Sequence, residues 1–211
     1  QTDQHFFMDT YVEGVLHHST EVFIEKMSTQ NQDMTCITTI IQDKKIKEKN
    51  VSLLNENHQI HSLWQVSFND PDKKYFEWHL TRNGQKGKAS FENLLTKTTE
   101  TYDFDFPENG QTLQSLVYML QFMDFSSKQP VNFDILTPPK QFFGMYAKAI
   151  GSEIIPFEGK NVDCSKVEIG LRGMLGFISP TLVFWIQKES PHLPIQYKDR
   201  ALLVKLRTSP K

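Results

Sequence analysis

The sequence is poor in the features that mark the most familiar functional classes. It has two cysteines in 211 residues, and because they form no CxxC pair and belong to no Cys/His cluster, no zinc site is expected. The formal net charge is −2, with both signs scattered, which argues against nucleic acid and anionic membrane surfaces as partners. No apolar run approaches the roughly 20 residues of a membrane span, so no transmembrane segment is predicted.

Catalytic signatures are scarce as well, with no glycine-rich phosphate loop and no GxSxG motif. His58 and His61 form an HxxH, but residues three apart on a strand point to opposite faces and do not chelate one ion. Glu77 and His79 lie two apart and face the same way, so they are candidates for an acid/base pair or for a solvated strand face. The solvated face is favoured, and we predict no catalytic residue, metal site or cofactor.

Phenylalanine, in contrast, is abundant, with 16 of 211 residues. So many rings favour an aromatic core, and the alternative is that some rings line an apolar cavity, as they do in ligand pockets. A chain of this length suits one large β domain and can bury roughly 70% of the surface of its unfolded state. We therefore expect a single domain over residues 1–211.

Most of the chain has an apolar period of two, which is typical of half-buried strands. Between Asp33 and Gln42, one predicted strand face carries two threonines and two isoleucines: Thr35, Ile37, Thr39 and Ile41. Asn83-Gly84 is a strong short hairpin signal, because both residues tolerate positive φ. The pattern predicts a mainly β fold of many antiparallel strands.

The period changes once, at Asn109-Gly110. The apolar residues that follow have helical spacing: Leu113, Leu116, Val117, Leu120 and Met123. This spacing predicts one amphipathic helix near residues 111–125. Its apolar face is wide and needs wide cover, so we predict a curved antiparallel sheet wrapped around this helix; the resemblance described below implies that this sheet is a half-barrel.

The run Leu182–Ile186 is apolar throughout and short, which predicts a strand buried on both faces. One face of this strand can cover the helix. The other face needs a second cover, which loops, a ligand or another protein could supply.

Four segments carry a resemblance to a known family. They are the helix Leu113–Phe125, the strand Phe142–Ile150 with Gly151-Ser152-Glu153, the segment Val167–Leu171, and Leu182–Ile186 with His192-Leu193-Pro194-Ile195-Gln196. Together they resemble a bacterial exported family of unknown function whose fold is like that of the LolA-type lipoprotein carriers. The resemblance covers roughly residues 100–206 and implies part of a barrel around a helix, with an apolar concavity.

The resemblance also implies an extracytoplasmic location, in the periplasm or cell envelope. A chain that begins at Gln1 fits an exported protein whose signal peptide has been removed, and it equally fits a trimmed cytosolic protein. A disulfide between Cys36 and Cys164 would support export.

These observations favour a non-enzymatic extracytoplasmic protein that binds an apolar molecule or acyl chain in a concave sheet. The predicted lining residues are Val117, Leu120, Phe122, Phe184 and Trp185. One alternative is a cell-envelope interaction or scaffold protein with a closed core, which would have an envelope protein as its partner. A weaker alternative is an enzyme that acts on an envelope glycan or lipid.

Overall fold

A computed structural model describes residues 3–28, 32–42, 47–70, 73–127, 129–173 and 181–209. About 70% of the residues lie in strands, and the described chain has a single helix. The prediction of a mainly β fold with one helix is therefore confirmed. Fifteen strands form one large, open, curved sheet.

The strands, in chain order, are β1 Gln4–Val12, β2 Val15–Ser28, β3 Asp33–Gln42, β4 Lys47–Leu54, β5 Ile60–Asp70, β6 Lys73–Asn83, β7 Lys86–Asn93, β8 Thr98–Asp105, β9 Gly110–Thr112, β10 Val131–Thr137, β11 Gln141–Phe157, β12 Lys160–Leu171, β13 Leu182–Gln187, β14 Pro194–Lys198 and β15 Leu202–Arg207. The helix, α1, spans Leu113–Met119 and lies between β9 and β10.

Two meanders meet in the middle of this sheet. The strand order is β8 to β1 followed by β15 to β9, so the first and last strands of the chain pair with each other. We call β1–β8 the N-terminal wing and β9–β15 the C-terminal wing. Neighbouring strands are antiparallel except for β9, which pairs with β10 in parallel.

The sheet must curve because β8 and β9 are consecutive in the chain yet lie at its two opposite edges. Only residues 106–109 connect them, a reach of at most about 18 Å for extended chain. The edges accordingly approach each other: the ring of Phe104 in β8 lies 5.6 Å from the ring of Phe142 in β11. The curvature gives the sheet a concave face that receives the helix.

The helix is shorter than the predicted range 111–125, ending at Met119. Thr112 is its N-cap, and the Thr112 backbone N–H donates to Ser115 Oγ at 3.2 Å. Beyond the helix, the backbone N–H of Phe122 donates to the carbonyl of Met119 at 3.0 Å, the tighter i to i−3 pattern. This turn stacks the Phe122 ring on the His58 ring, with the ring centroids 3.8 Å apart. This tertiary contact overrides the helical sequence pattern.

The helix packs between the two wings. Its Tyr118 side chain joins a buried cluster formed largely by the N-terminal wing, with Phe6 and Trp78 among its members. Its Leu116 side chain joins a second buried cluster, on the C-terminal wing. The helix therefore bridges the two halves of the concave face.

Strand β13 is buried on both faces at Phe184, Trp185 and Ile186, as the apolar run predicts, whereas Leu182 and Val183 are half-buried. Phe184 and Ile186 belong to the C-terminal-wing cluster. Trp185 belongs to a third cluster, and the members of that cluster come from β11, β12, β13 and β14: Ile155, Cys164, Trp185 and Ile195. Neighbouring strands and Leu193, in the connection between β13 and β14, thus pack around Trp185 on the second face. A further cover by a ligand or another protein stays a prediction.

Candidate binding cavity

A cavity of about 200 Å³ lies between α1 and strands β1–β4, with contributions from β14 and β15. We call it the inner cavity. Its apolar lining residues are Phe6, Met8, Val22, Ile24, Ile37, Ile41, Leu113, Val117, Tyr118, Tyr197 and Val204. Its polar lining residues are Thr10, His18, Thr20, Thr39, Glu48, Asn50 and Gln114.

Strand register places these side chains on one face. Val22 lies opposite Phe6 on one side and opposite Thr39 on the other, and directly opposed residues in a sheet share a face. Ile37, Thr39 and Ile41 all line the cavity, so the face predicted from their alternation is the concave face.

The inner cavity has an apolar end and a polar end. Ile24 and Ile37 lie opposite each other toward the apolar end. At the other end Thr10 lies opposite His18, and Ile41 lies opposite Glu48. The cavity is therefore amphipathic along the strand direction.

The polar end is organised around Asn50, which is 2% exposed. Its Nδ2 donates to Thr39 Oγ1 and to Glu48 Oε1, both at 3.0 Å. Its Oδ1 is buried and has no hydrogen-bond partner among the described residues. Beside it, Gln114 of the helix donates through Nε2 to Gln65 Oε1 at 3.2 Å.

The helix is held over the cavity by contacts of Tyr118. The Tyr118 hydroxyl lies 3.4 Å from Thr35 Oγ1 and 3.5 Å from His58 Nδ1, and Lys26 Nζ donates to Thr35 Oγ1 at 2.8 Å. Burial lowers the pKa of His58 from its ordinary value, and the charge of Lys26 lowers this pKa further. The group therefore favours a neutral His58 beneath the Phe122 ring.

A second concavity, which we call the side groove, lies between residues 120–127 and strands β11–β13, with a volume of about 1060 Å³. Leu120, Phe122 and Ile186 contribute apolar surface to it, whereas Lys148 and Lys188 contribute cationic side chains. The side groove is thus wider and more mixed in chemistry than the inner cavity.

The structure distributes the five predicted lining residues over several places. Val117 lines the inner cavity, and Leu120 and Phe122 line the side groove. Phe184 is 2% exposed and stacks on Tyr197 with ring centroids 4.7 Å apart, lining neither concavity. Trp185 also lines neither, because it points to the opposite face of the sheet from Phe184.

The face that carries Trp185 is a packed surface with a polar rim. Trp185 Nε1 donates to Glu153 Oε2 at 2.9 Å, and Lys166 Nζ donates to the same oxygen at 3.2 Å. These two bonds lower the pKa of Glu153, with the Trp185 bond contributing most. The Trp185 indole is therefore engaged by protein groups.

The acid/base candidate, Glu77 with His79, has the geometry of a surface ion pair. Glu77 Oε1 accepts from Trp64 Nε1 at 2.6 Å and from His79 Nε2 at 3.1 Å. The Trp64 bond is the largest cause of a lowered pKa at Glu77. A carboxylate held ionised in this way is a poor proton donor near neutral pH.

Metal-ligand clusters and membrane-spanning helices are both absent from the described ranges. Among these residues, no three His, Cys, Asp or Glu side chains come together as metal ligands would. Within the same residues, no helix has the length and apolarity needed to cross a membrane.

The cavity residues of the N-terminal wing, such as Phe6, Met8 and Ile24, are absent from the residues predicted from sequence. Alternation assigns each side chain to one of two strand faces, but a single strand does not reveal which face becomes concave. The available signal was the isoleucine and threonine face of β3, because Ile37, Thr39 and Ile41 on this face line the inner cavity.

Comparison with known proteins adds no relative: no family model, curated protein or solved structure matches this chain. The functional argument therefore stands on the geometry of the inner cavity and the chemistry of its lining.

Proposed function

We propose that this chain is a non-enzymatic binding protein that holds an apolar molecule or an acyl chain in its inner cavity. One observation carries the proposal: α1 and the N-terminal wing leave about 200 Å³ between them, lined largely by aliphatic and aromatic side chains. The apolar part of this lining favours apolar ligands, as in ligand pockets lined by aliphatic and aromatic side chains.

The volume limits the ligand. An apolar cavity of about 150 Å³ holds one benzene molecule, so by proportion about eight carbon atoms fit here. Burial contributes about 0.8 kcal/mol per methylene, or roughly 6 kcal/mol for such a chain. We expect a dissociation constant between about 1 mM and 1 μM. A bulky ligand with several long acyl chains does not fit without opening the helix.

The LolA-like resemblance motivates two further parts of the proposal, a half-barrel organised around the helix and an extracytoplasmic location. The curved sheet with α1 on its concave face supports the first. Cys36 and Cys164 are both free and buried, so no disulfide supports the second, which rests on the resemblance alone.

Calorimetric titration with benzene tests the proposed function. The wild type should bind one benzene saturably, and Val117→Phe, which fills the cavity from the helix, should abolish this binding. Val183→Phe is the matched control, because Val183 is half-buried on the face of β13 that carries Trp185. Absence of benzene binding to the wild type, or full binding to Val117→Phe, would refute the proposal and favour the closed-core scaffold alternative.

A further inference from the structure

The polar end of the inner cavity presents hydrogen-bond acceptors and one formal negative charge. We infer that the cavity selects single-chain amphiphiles whose head group donates a hydrogen bond and carries no negative charge, the chemistry of medium-chain alcohols and amines. The inference rests on the proposed function and deepens it by naming the ligand class.

The orientation of the Asn50 amide follows from its neighbour Glu48. A carboxylate accepts hydrogen bonds and does not donate them, so the amide must turn its Nδ2 toward Glu48 Oε1. The same Nδ2 also donates to Thr39 Oγ1, which leaves Oδ1 as the atom without a described partner. Asn50 is 2% exposed, so this acceptor is shielded from bulk water.

A second orphaned polar atom lies on the same strand face, but it lies outside the lining of the inner cavity, opposite Ile37 and away from Glu48. Ser52 is two residues from Asn50 in β4, is 0% exposed, and its Oγ also lacks a hydrogen-bond partner among the described residues. Buried polar atoms in folded proteins usually have a partner. A head group that donates to Asn50 Oδ1 would supply one at the end of the cavity.

The charges facing the cavity disfavour an anionic head group. Glu48 is the acidic lining residue and His18 the one basic group among the described lining residues. His18 Nδ1 is engaged with His17 Nδ1 at 3.0 Å. A carboxylate head would be repelled by the Glu48 carboxylate, and it would have no proton to offer Asn50 Oδ1. A hydroxyl or an ammonium satisfies both requirements.

The apolar end then receives the tail. Ile24 and Ile37 lie opposite each other, beyond the row of Asn50 and away from Glu48. The volume limits the tail to about eight carbon atoms. Unbranched compounds of eight carbon atoms are therefore the matched probes, because they have the same number of carbon atoms and differ in the head group.

The experiment compares 1-octanol, octylamine, octanoate and 1-methoxyheptane by calorimetry near pH 7.5, beside the benzene titration. 1-Methoxyheptane has the heavy-atom count of 1-octanol but no proton to donate. We expect 1-octanol and octylamine to bind at least about tenfold more tightly than octanoate and 1-methoxyheptane. Glu48→Gln should strengthen octanoate binding, so that octanoate binds only about threefold more weakly than 1-octanol. Glu56→Gln, an exposed turn substitution outside the lining, should leave the order unchanged.

Each failure has a distinct meaning. Equal binding of octanoate and 1-octanol to the wild type overturns the head-group inference, and so does a difference in their affinities that Glu48→Gln does not reduce. Benzene binding would still uphold the proposed function in either case. Equal binding of 1-methoxyheptane and 1-octanol overturns the role of Asn50 Oδ1. Absence of benzene binding overturns the proposed function and the inference with it.

Discussion

Arg207 and Asp9 join the two ends of the chain by a bidentate ion pair across the middle of the sheet. Arg207 Nε and Nη2 donate to Asp9 Oδ2 and Oδ1 at 3.2 and 3.1 Å. The Asp9 side chain is 4% exposed, and the guanidinium also lies over the Phe7 ring at 4.4 Å. Because β1 and β15 form the seam between the wings, this pair ties one wing to the other.

Removing the arginine should therefore destabilise the whole sheet. Arg207→Ala removes two charge-assisted hydrogen bonds from the buried Asp9 carboxylate, and breaking a buried ion pair costs about 3–5 kcal/mol of unfolding free energy. Denaturant unfolding measures the change. Lys86→Ala is the control, because the Lys86–Asp105 pair is 80% and 82% exposed, so solvent screens it and the variant should lose far less stability than Arg207→Ala. Similar losses in both variants would contradict a special role for the seam.

Trp185 tests the packed face opposite the inner cavity. Trp185→Ala should lower the unfolding free energy by about 3–5 kcal/mol, because the indole is 7% exposed within a buried cluster. Benzene binding to the folded variant should persist, since Trp185 does not line the inner cavity. A thermal melt indistinguishable from that of the wild type would show that the indole contributes nothing to packing.

Neighbouring helix positions should respond differently to a larger side chain. Leu116 is 3% exposed in a filled cluster, so Leu116→Phe should cost about 1–3 kcal/mol through overpacking. Val117 faces the inner cavity, and Val117→Phe should cost less than about 1 kcal/mol because free volume accepts the ring. Urea unfolding measures the loss of unfolding free energy in each variant. A loss for Val117→Phe that equals or exceeds the loss for Leu116→Phe would indicate that the site beside Val117 is already filled.

His58 should make stability fall with acidification. Its pKa is lowered in the folded state, so its contribution is complete above the unfolded value of about 6.5 and is lost as pH falls through the folded pKa. His58→Asn should flatten the change in melting temperature between about pH 7.5 and 5.5, because Asn does not titrate and tolerates the positive φ of 59° found here. The control is His61→Asn, at an exposed strand position, which should leave the pH dependence of the melting temperature intact. If His58→Asn also leaves this pH dependence unchanged, groups other than His58 cause it.

The sequence predicted the elements that depend on local periodicity. The change at Asn109-Gly110 located the single helix, and the Leu182–Ile186 run identified a strand buried on both faces. The predicted end of the helix was wrong. Phe122 stacks on His58, which lies 64 positions away in the chain, and this contact favours a tighter turn after Met119.

The candidate site was harder to predict than the fold. Val117 was identified because its helical face was evident, but Phe6 and Ile24 reach the cavity through strand pairing across four strands. Trp185 was assigned to the lining because it is apolar, and the orientation that takes it to the opposite face depends on which side of β13 becomes concave. Curvature is a property of the whole sheet, and no single strand encodes it.

Methyl-resolved NMR during a benzene titration tests the central claim most directly. The account predicts saturable shift changes at methyl groups of the inner cavity, in particular Val22, Ile37 and Val117. The methyl groups of Ile155 and Ile195, packed around Trp185 on the opposite face, should stay unchanged. Shift changes at Ile155 and Ile195 alone, or none at any of these methyl groups up to saturating benzene, would contradict the account.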